Sequence, residues 1–171
     1  DNSDILWEEL SNALEEAIAN LLEAKEAEGK KLAEDMINRL ELINENILNI
    51  SQYSTGLIDQ YVVKLKDRIK EMLQTDIVDE ARISQEVVLY ADKTSIEEEI
   101  TRLKSHIVQF KELLQSESIK KAGKRLDFII QEMNREVNTI GSKSNCLEIT
   151  NLVIELKTEL EDVREQVQNI E

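Results

Sequence analysis

The stretch LDFIIQEMNREVNTIGSKSN, Leu126 to Asn145, decides how the chain folds. Leu126, Ile129, Ile130, Met133, Val137 and Ile140 recur at spacings of three and four, one stripe of an amphipathic helix. The opposite face carries Glu132, Asn134, Arg135, Glu136 and Asn138, then Gly141, Lys143 and Asn145. Asn is a mediocre helix former because its amide competes for backbone hydrogen bonds. A helix that only had to pack needs no amides and paired carboxylates crowded on one face. The stretch therefore predicts a helix with a working surface, ended by Gly141 as a left-handed C-cap.

Outward from it the same period continues. After Asn145, paired with Glu148 as a helix start, Ile149, Leu152, Val153, Leu156, Leu160, Val163, Val167 and Ile170 form a seam. Upstream, Ile96, Ile100, Leu103, Ile107, Phe110 and Leu114 alternate by four and three, a heptad seam that Ser95 and Glu98 open as a capping box. SESIKKAG separates that helix from the opening stretch. A shorter helix spans Glu80 to Ala91, with Asp79 as its cap. Earlier segments run from about Asp4 to Glu28, from about Lys30 to Ser51, and from Leu57 to Leu73. Gly29 either breaks the first two or sits inside one long helix. SQYSTG, Ser51 to Gly56, is a turn, and QTDIVD is a linker.

The predicted fold is all-α: a long helical hairpin over residues 1–75, read as oligomer-forming, then a compact antiparallel helical bundle over 79–171. Composition agrees. The 171 residues include no Pro, four Gly and 4% aromatics, which favours long helices over strands. The chain begins with Asp1 in mid-pattern and reads as a fragment of a longer protein. The single Cys146 excludes an intrachain disulfide and fits a reducing compartment. No signal peptide and no run near the roughly 20 apolar residues of a membrane span appears.

Net charge is −15, which argues against general binding to nucleic acid or anionic membranes. The charge is uneven. Residues 1–28 carry a net of −8, whereas residues 119–145 carry +3, so one basic island overlaps the opening helix. Within it Lys120, Lys121, Lys124 and Arg125 crowd a helix start, where cations are locally unfavourable unless they serve something such as phosphate. A solvated helix start is the plainer reading.

Two rows of side chains could carry chemistry. Glu132 and Glu136 are one turn apart, about 5–6 Å, and repel unless a cation joins them. Arg135 is one candidate cation. A divalent ion is the other, and an all-oxygen site favours Mg²⁺ or Mn²⁺. On the preceding helix Glu99, Arg102 and His106, the only histidine, follow one edge of the apolar seam. A histidine there serves as acid or base, or is simply a hydrogen-bonded boundary residue. Because the two helices are sequential, both groups are expected to face one cleft. Phe128 lies on the polar side and reads best as a subunit contact. The loop Gly141 to Asn145 either binds phosphate or is only a capped turn. No Gly-rich phosphate loop, Cys/His metal spacing or nucleophile elbow is present.

The segment GKRLDFIIQEMNREVNTIGSKSNCLEITNLVIELKTELEDVREQVQNIE strongly resembles the C-terminal end of the YicC/YloC family of bacterial proteins, once labelled stress-induced. VDEARISQEVVLYADK and EEEITRLKSHIVQFKELL look like the part before it, and EAKEAEGKKLAEDM resembles its middle region. Cys146 departs from the small or acidic residue expected there. The resemblance implies a cytoplasmic, metal-dependent endoribonuclease that assembles into homo-oligomers, as hexamers, without a membrane. It also implies that the N-terminal half of the family lies outside this chain.

Under that reading Glu132 and Glu136, with Glu99, hold Mn²⁺ or Mg²⁺, and Arg102 and Arg135 hold the phosphate. His106 acts as general acid or base. Lys120, Lys121, Lys124, Arg125 and Lys143 guide the RNA backbone. Asn134, Asn138 and Asn145 bond bases, 2′-hydroxyls or neighbouring helices. The alternatives are a non-catalytic helical RNA-binding adaptor and an oligomerisation scaffold.

Overall fold

The computed structural model describes residues 2–73, 79–115 and 119–168. Among them six helices account for the regular structure: α1 Asn2–Ser54, α2 Leu57–Leu73, α3 Glu80–Thr94, α4 Glu97–Gln115, α5 Ile119–Lys143 and α6 Leu147–Gln168. The all-α class follows directly from the sequence period. Gly29 sits inside α1 rather than breaking it, and a Cβ there would meet nothing within 4 Å. One isolated Gly costs a helix about 1 kcal/mol, too little to split so long a run.

The chain divides into two compact units, residues 1–38 and 39–171. The linker expected at 74–79 lies outside the described residues except for Asp79. That residue caps α3 as expected, its carboxylate accepting from the N–H groups of Ala81 at 3.1 Å and Arg82 at 3.4 Å.

In the first unit the stripe Leu10, Leu14, Ile18 and Leu21 is exposed, at 48–61% for each side chain. The second unit holds the bundle. Ile96, just before α4, and the five seam residues within it are buried, as are Leu126, Ile129, Ile130, Met133, Val137 and Ile140 of α5 and most of the α6 seam. Each fully buried side chain of this kind contributes roughly 1.5–3 kcal/mol.

Ion pairs and one tight contact fix the register. Glu99 and Arg102, early in α4, meet Lys143 and Glu136, late in α5. Asp127, early in α5, meets Arg164, late in α6, at 3.2 Å. Both helix pairs are therefore antiparallel. The last turns of α1 join the bundle through Arg39, which reaches Glu159 at 3.1 Å and Asp162 at 2.7 Å, and through Glu41 with Lys111. There Leu40, Ile43, Ile47 and Ile50 are buried. The α2–α3 pair is held by Tyr61 stacked on Tyr90 and by Lys66 with Glu80 at 3.2 Å.

Three local expectations are corrected. Gly141 does not end α5, which continues to Lys143. A Cβ at Gly141 would lie 3.1 Å from Val153 Cγ1, so glycine is needed for the close approach of α5 to α6 rather than for a left-handed turn. Ser95 does not open α4. It closes α3, its N–H bonding to the Ala91 carbonyl at 2.9 Å. Asn145 does not cap α6, because Ser144 Oγ accepts the Cys146 N–H at 3.2 Å and α6 begins at Leu147.

Candidate functional site

Residues three, four and seven apart share a helix face, so α4 presents Glu99, Arg102 and His106 along one edge of its buried seam. The α5 edge opposite presents Glu132, Glu136 and Lys143. Antiparallel packing interleaves the two rows. Lys143 Nζ donates to Glu99 Oε1 at 2.8 Å and to the Ser95 carbonyl at 2.9 Å. Arg102 Nε lies 2.9 Å from Glu136 Oε1, its N–H pointing off the line, so the contact is ionic rather than an aligned hydrogen bond. The same guanidinium pairs with Glu98 and approaches Glu99 Oε1 at 3.5 Å.

Glu99 and Glu136 are only 3% and 6% exposed, the two charged residues buried in this fold among those described. Burial pushes the Glu99 carboxyl upward. The Lys143 hydrogen bond, a backbone hydrogen bond and the Lys143 and Arg102 charges outweigh that and hold it below the ordinary glutamate value. The Glu136 contact likewise raises the Arg102 guanidinium further, so it stays charged.

Three buried atoms in this seam have no hydrogen-bond partner among the described residues: Glu99 Oε2, His106 Nδ1 and Arg102 Nε, the last in ionic contact with Glu136. His106 as a whole is half-buried. The register that pairs Arg102 with Glu136 places His106, one turn on, beside Glu132, one turn back. Glu132 is half-buried and has no ion-pair partner among the described residues.

The other edge of α5 faces α6. There a groove of about 590 Å³ is lined by Gln131, Asn134, Arg135, Asn138, Thr139, Ser142 and Arg164, with no acidic residue in its wall. Arg135 is exposed and carries no ion pair among the described residues. Arg164 is held by Asp127, which also accepts from Gln131 at 2.6 Å. In a chain of net charge −15 this groove is a local stretch of surface without acidic side chains in its wall.

Of the residues singled out from sequence, the structure brings Glu99, Arg102, Glu136 and Lys143 into one network, with His106 on its edge. It brings Asn134, Arg135 and Asn138 into the groove. The α4 and α5 groups expected to face one another do meet along the α4–α5 seam, through Arg102 with Glu136 and Glu99 with Lys143, whereas the amide row does not join them. At about 100° per residue the carboxylate row and the amide row lie on opposite flanks of α5, one turned to α4 and the other to α6. Lys143, placed with the RNA-guiding cations, is engaged with Glu99. Lys124 and Arg125 line a separate hollow beside the exposed Phe128, and Asn145 lies on another beside α2 and α3. The side chains of Lys120 and Lys121 lie outside the described residues.

Sequence reasoning did not single out Thr139 and Arg164, and it met Ser142 only as part of the Gly141 to Asn145 stretch, whose first three residues are helical in α5. Thr139 and Ser142 share a helical row with Gln131, Arg135 and Asn138, so their place in the groove was within reach of the periodicity. Arg164 belongs to another helix, and only the α5–α6 pairing reveals it.

The residues described do not by themselves form a divalent-ion site. No three His, Cys, Asp or Glu among them stand close enough to share an ion. Glu136 and Glu99, two of the expected ligands, already face Arg102 and Lys143.

The fold is a helical bundle with an ionic seam on one flank of α5 and a polar groove on the other. Comparison with known proteins places it more closely. Residues 50–171 match the model of the endoribonuclease YicC-like C-terminal family, and the chain belongs to that family. It is 51% identical over its whole length to a probable endoribonuclease YicC of Clostridioides difficile, covering 58% of that protein. It is 30% identical to a probable endoribonuclease YicC of Haemophilus influenzae, with 98% of the chain covering 57% of that protein. The chain thus spans less than three fifths of these relatives. No helix among the described residues is long and apolar enough to cross a membrane.

Proposed function

We propose that this chain is the helical part of a cytoplasmic endoribonuclease that cleaves RNA phosphodiester bonds beside the α4–α5 seam. The observation that carries the reading is the seam itself. Two buried carboxylates are paired with Arg102 and Lys143 along the edge that presents the only imidazole of the sequence. Burying charge is expensive, and packing needs none of it. His106 is the group for proton transfer, because imidazole is the side chain that ordinarily exchanges protons near neutral pH. Its Nδ1 is buried without a hydrogen-bond partner among the described residues, so proton exchange with the substrate falls to Nε2.

Arg102 is spent on carboxylates and positions the seam. Arg135, exposed and unpaired, is the better phosphate holder. The strand then crosses α5, about 10–12 Å wide, and enters the amide-lined groove, where Asn134 and Asn138 bond bases or 2′-hydroxyls. Lys124 and Arg125 extend the basic path.

A divalent ion, Mn²⁺ or Mg²⁺, belongs to the same proposal. Glu132 is the carboxylate left for it once Glu99 and Glu136 are paired, and its other ligands come from outside the described residues. When bound, such an ion stabilises charge developing on phosphate oxygens. We include homo-oligomerisation in the proposal, because the apolar stripe on the first turns of α1 is uncovered.

A non-catalytic RNA-binding adaptor is the second reading, favoured by the fact that the seam carboxylates are already paired within the chain. Incubation of the full-length protein with labelled RNA, with Mn²⁺ and with chelator, separates the two. Cleavage abolished by chelator supports the ion-dependent nuclease. Cleavage that persists in chelator removes the metal from the proposal. Salt-sensitive binding without cleavage supports the adaptor.

A further inference from the structure

A cavity of about 470 Å³ lies between the α2–α3 pair and the start of α6. Its flat wall is the Tyr61–Tyr90 pair, with ring centroids 3.7 Å apart and planes within 3° of parallel. Leu57 and Leu147 add apolar surface, and Leu147 is left 71% exposed. Lys64, Asn145 and Glu148 bring an ammonium, an amide and a carboxylate to the same rim.

These polar groups are not used up by the fold. Asn145, displaced from the capping role its position suggests, is exposed. Neither its amide nor the Lys64 ammonium has a hydrogen bond or ion pair among the described residues. Glu148 accepts from Cys146 Sγ at 2.8 Å, a contact that keeps its carboxyl ionised while leaving acceptor capacity free.

We propose that this cavity binds one guanine nucleotide, the base against the tyrosine pair and Leu147, the phosphate on Lys64, and the base edge on Glu148 and Asn145. An aromatic face takes any base, so selectivity falls to the edge contacts. A carboxylate beside an amide accepts adjacent N–H donors, and guanine presents two on one edge, N1–H and the exocyclic amine. Uracil presents a single N–H between two carbonyls. The nucleotide is either free or one unit of an RNA strand, and recognition by this cavity does not rest on His106 or on a metal.

The test is titration of the full-length protein, followed by calorimetry and amide NMR, with GMP, guanosine, UMP and short single-stranded RNAs with and without one guanine. The expected result is saturable binding of GMP at least tenfold tighter than UMP. Tyr90→Ala should weaken it about tenfold or more. Lys64→Glu should weaken GMP but not guanosine, and Glu148→Gln should narrow the gap between GMP and UMP. Tyr90 also ties α3 to α2, so Lys64→Glu and Asn145→Ala, both at exposed positions, provide variants whose helices circular dichroism can show intact. Saturation by GMP assigns a free nucleotide, and saturation only by guanine-containing RNA assigns a unit of the strand. Absence of saturation by either, or affinity unmoved by Tyr90→Ala and Lys64→Glu, overturns the proposal. Loss of nucleotide binding with RNA cleavage retained would overturn nothing in the nuclease reading, so the two failures are separable.

Discussion

Glu99 is nearly sealed from water, yet it remains a carboxylate because Lys143 and Arg102 reach the same oxygen. Its pKa is lower folded than unfolded, so the stability it contributes is present above the ordinary value near 4.5 and is lost as pH falls through the folded one. Urea midpoints of wild type and Glu99→Gln should therefore differ by a constant amount above about pH 5 and converge below it. Arg102 joins that carboxylate to Glu136. Removing one partner of a buried pair strands the other charge, and the partial exposure of the guanidinium moderates that loss. Arg102→Met should show that loss in urea denaturation. Replacing Glu136 by Met in the same chain should recover part of it, since two apolar groups leave no stranded charge between them.

At the scale of the helices, the packing of α5 on α6 turns on one missing methyl. Gly141→Ala gains about 1 kcal/mol of helix propensity but sets a Cβ 3.1 Å from a buried valine. In the wild-type background the two effects oppose, and the substitution should be neutral to destabilising by about 1 kcal/mol. With Val153→Ala in place the clash is gone, and the same substitution should stabilise; a thermal-melt double-mutant cycle measures the difference. This position also shows what a sequence does and does not disclose. A glycine near a helix end reads equally as a left-handed cap and as a site of close approach, and only the neighbouring helix distinguishes them. The stripes of α4, α5 and α6 were legible because burial repeats with the helical period. Asp79 was legible because capping is local. Lys143 bonding to Glu99 and Arg164 entering the groove were not, because both pairings join residues far apart in the chain. The two-sided character of α5 was available from the wheel, on which Glu136 and Asn138 fall far apart; adjacency of α4 and α5 suggested that their ionic groups meet, as they do, whereas the placing of the amide row beside α6 needed the third helix.

For the whole molecule, periodicity showed which face of the first α1 turns is apolar but not that it stays uncovered. Leu10, Leu14, Ile18 and Leu21 stand about half in water, which under the proposed assembly is the surface other copies cover. Leu14→Glu with Leu21→Glu should shift the sedimentation coefficient of the full-length protein to that of a smaller species, with helicity by circular dichroism unchanged. The central claim concerns the imidazole at the edge of the ionic seam. It is tested most directly by the rate at which the full-length protein cleaves labelled single-stranded RNA, compared with His106→Gln. A general acid or base contributes about 10²–10⁴-fold, so the variant should lose at least a hundredfold in rate while keeping its RNA affinity and its melting temperature. Cleavage by His106→Gln at the wild-type rate would contradict the account.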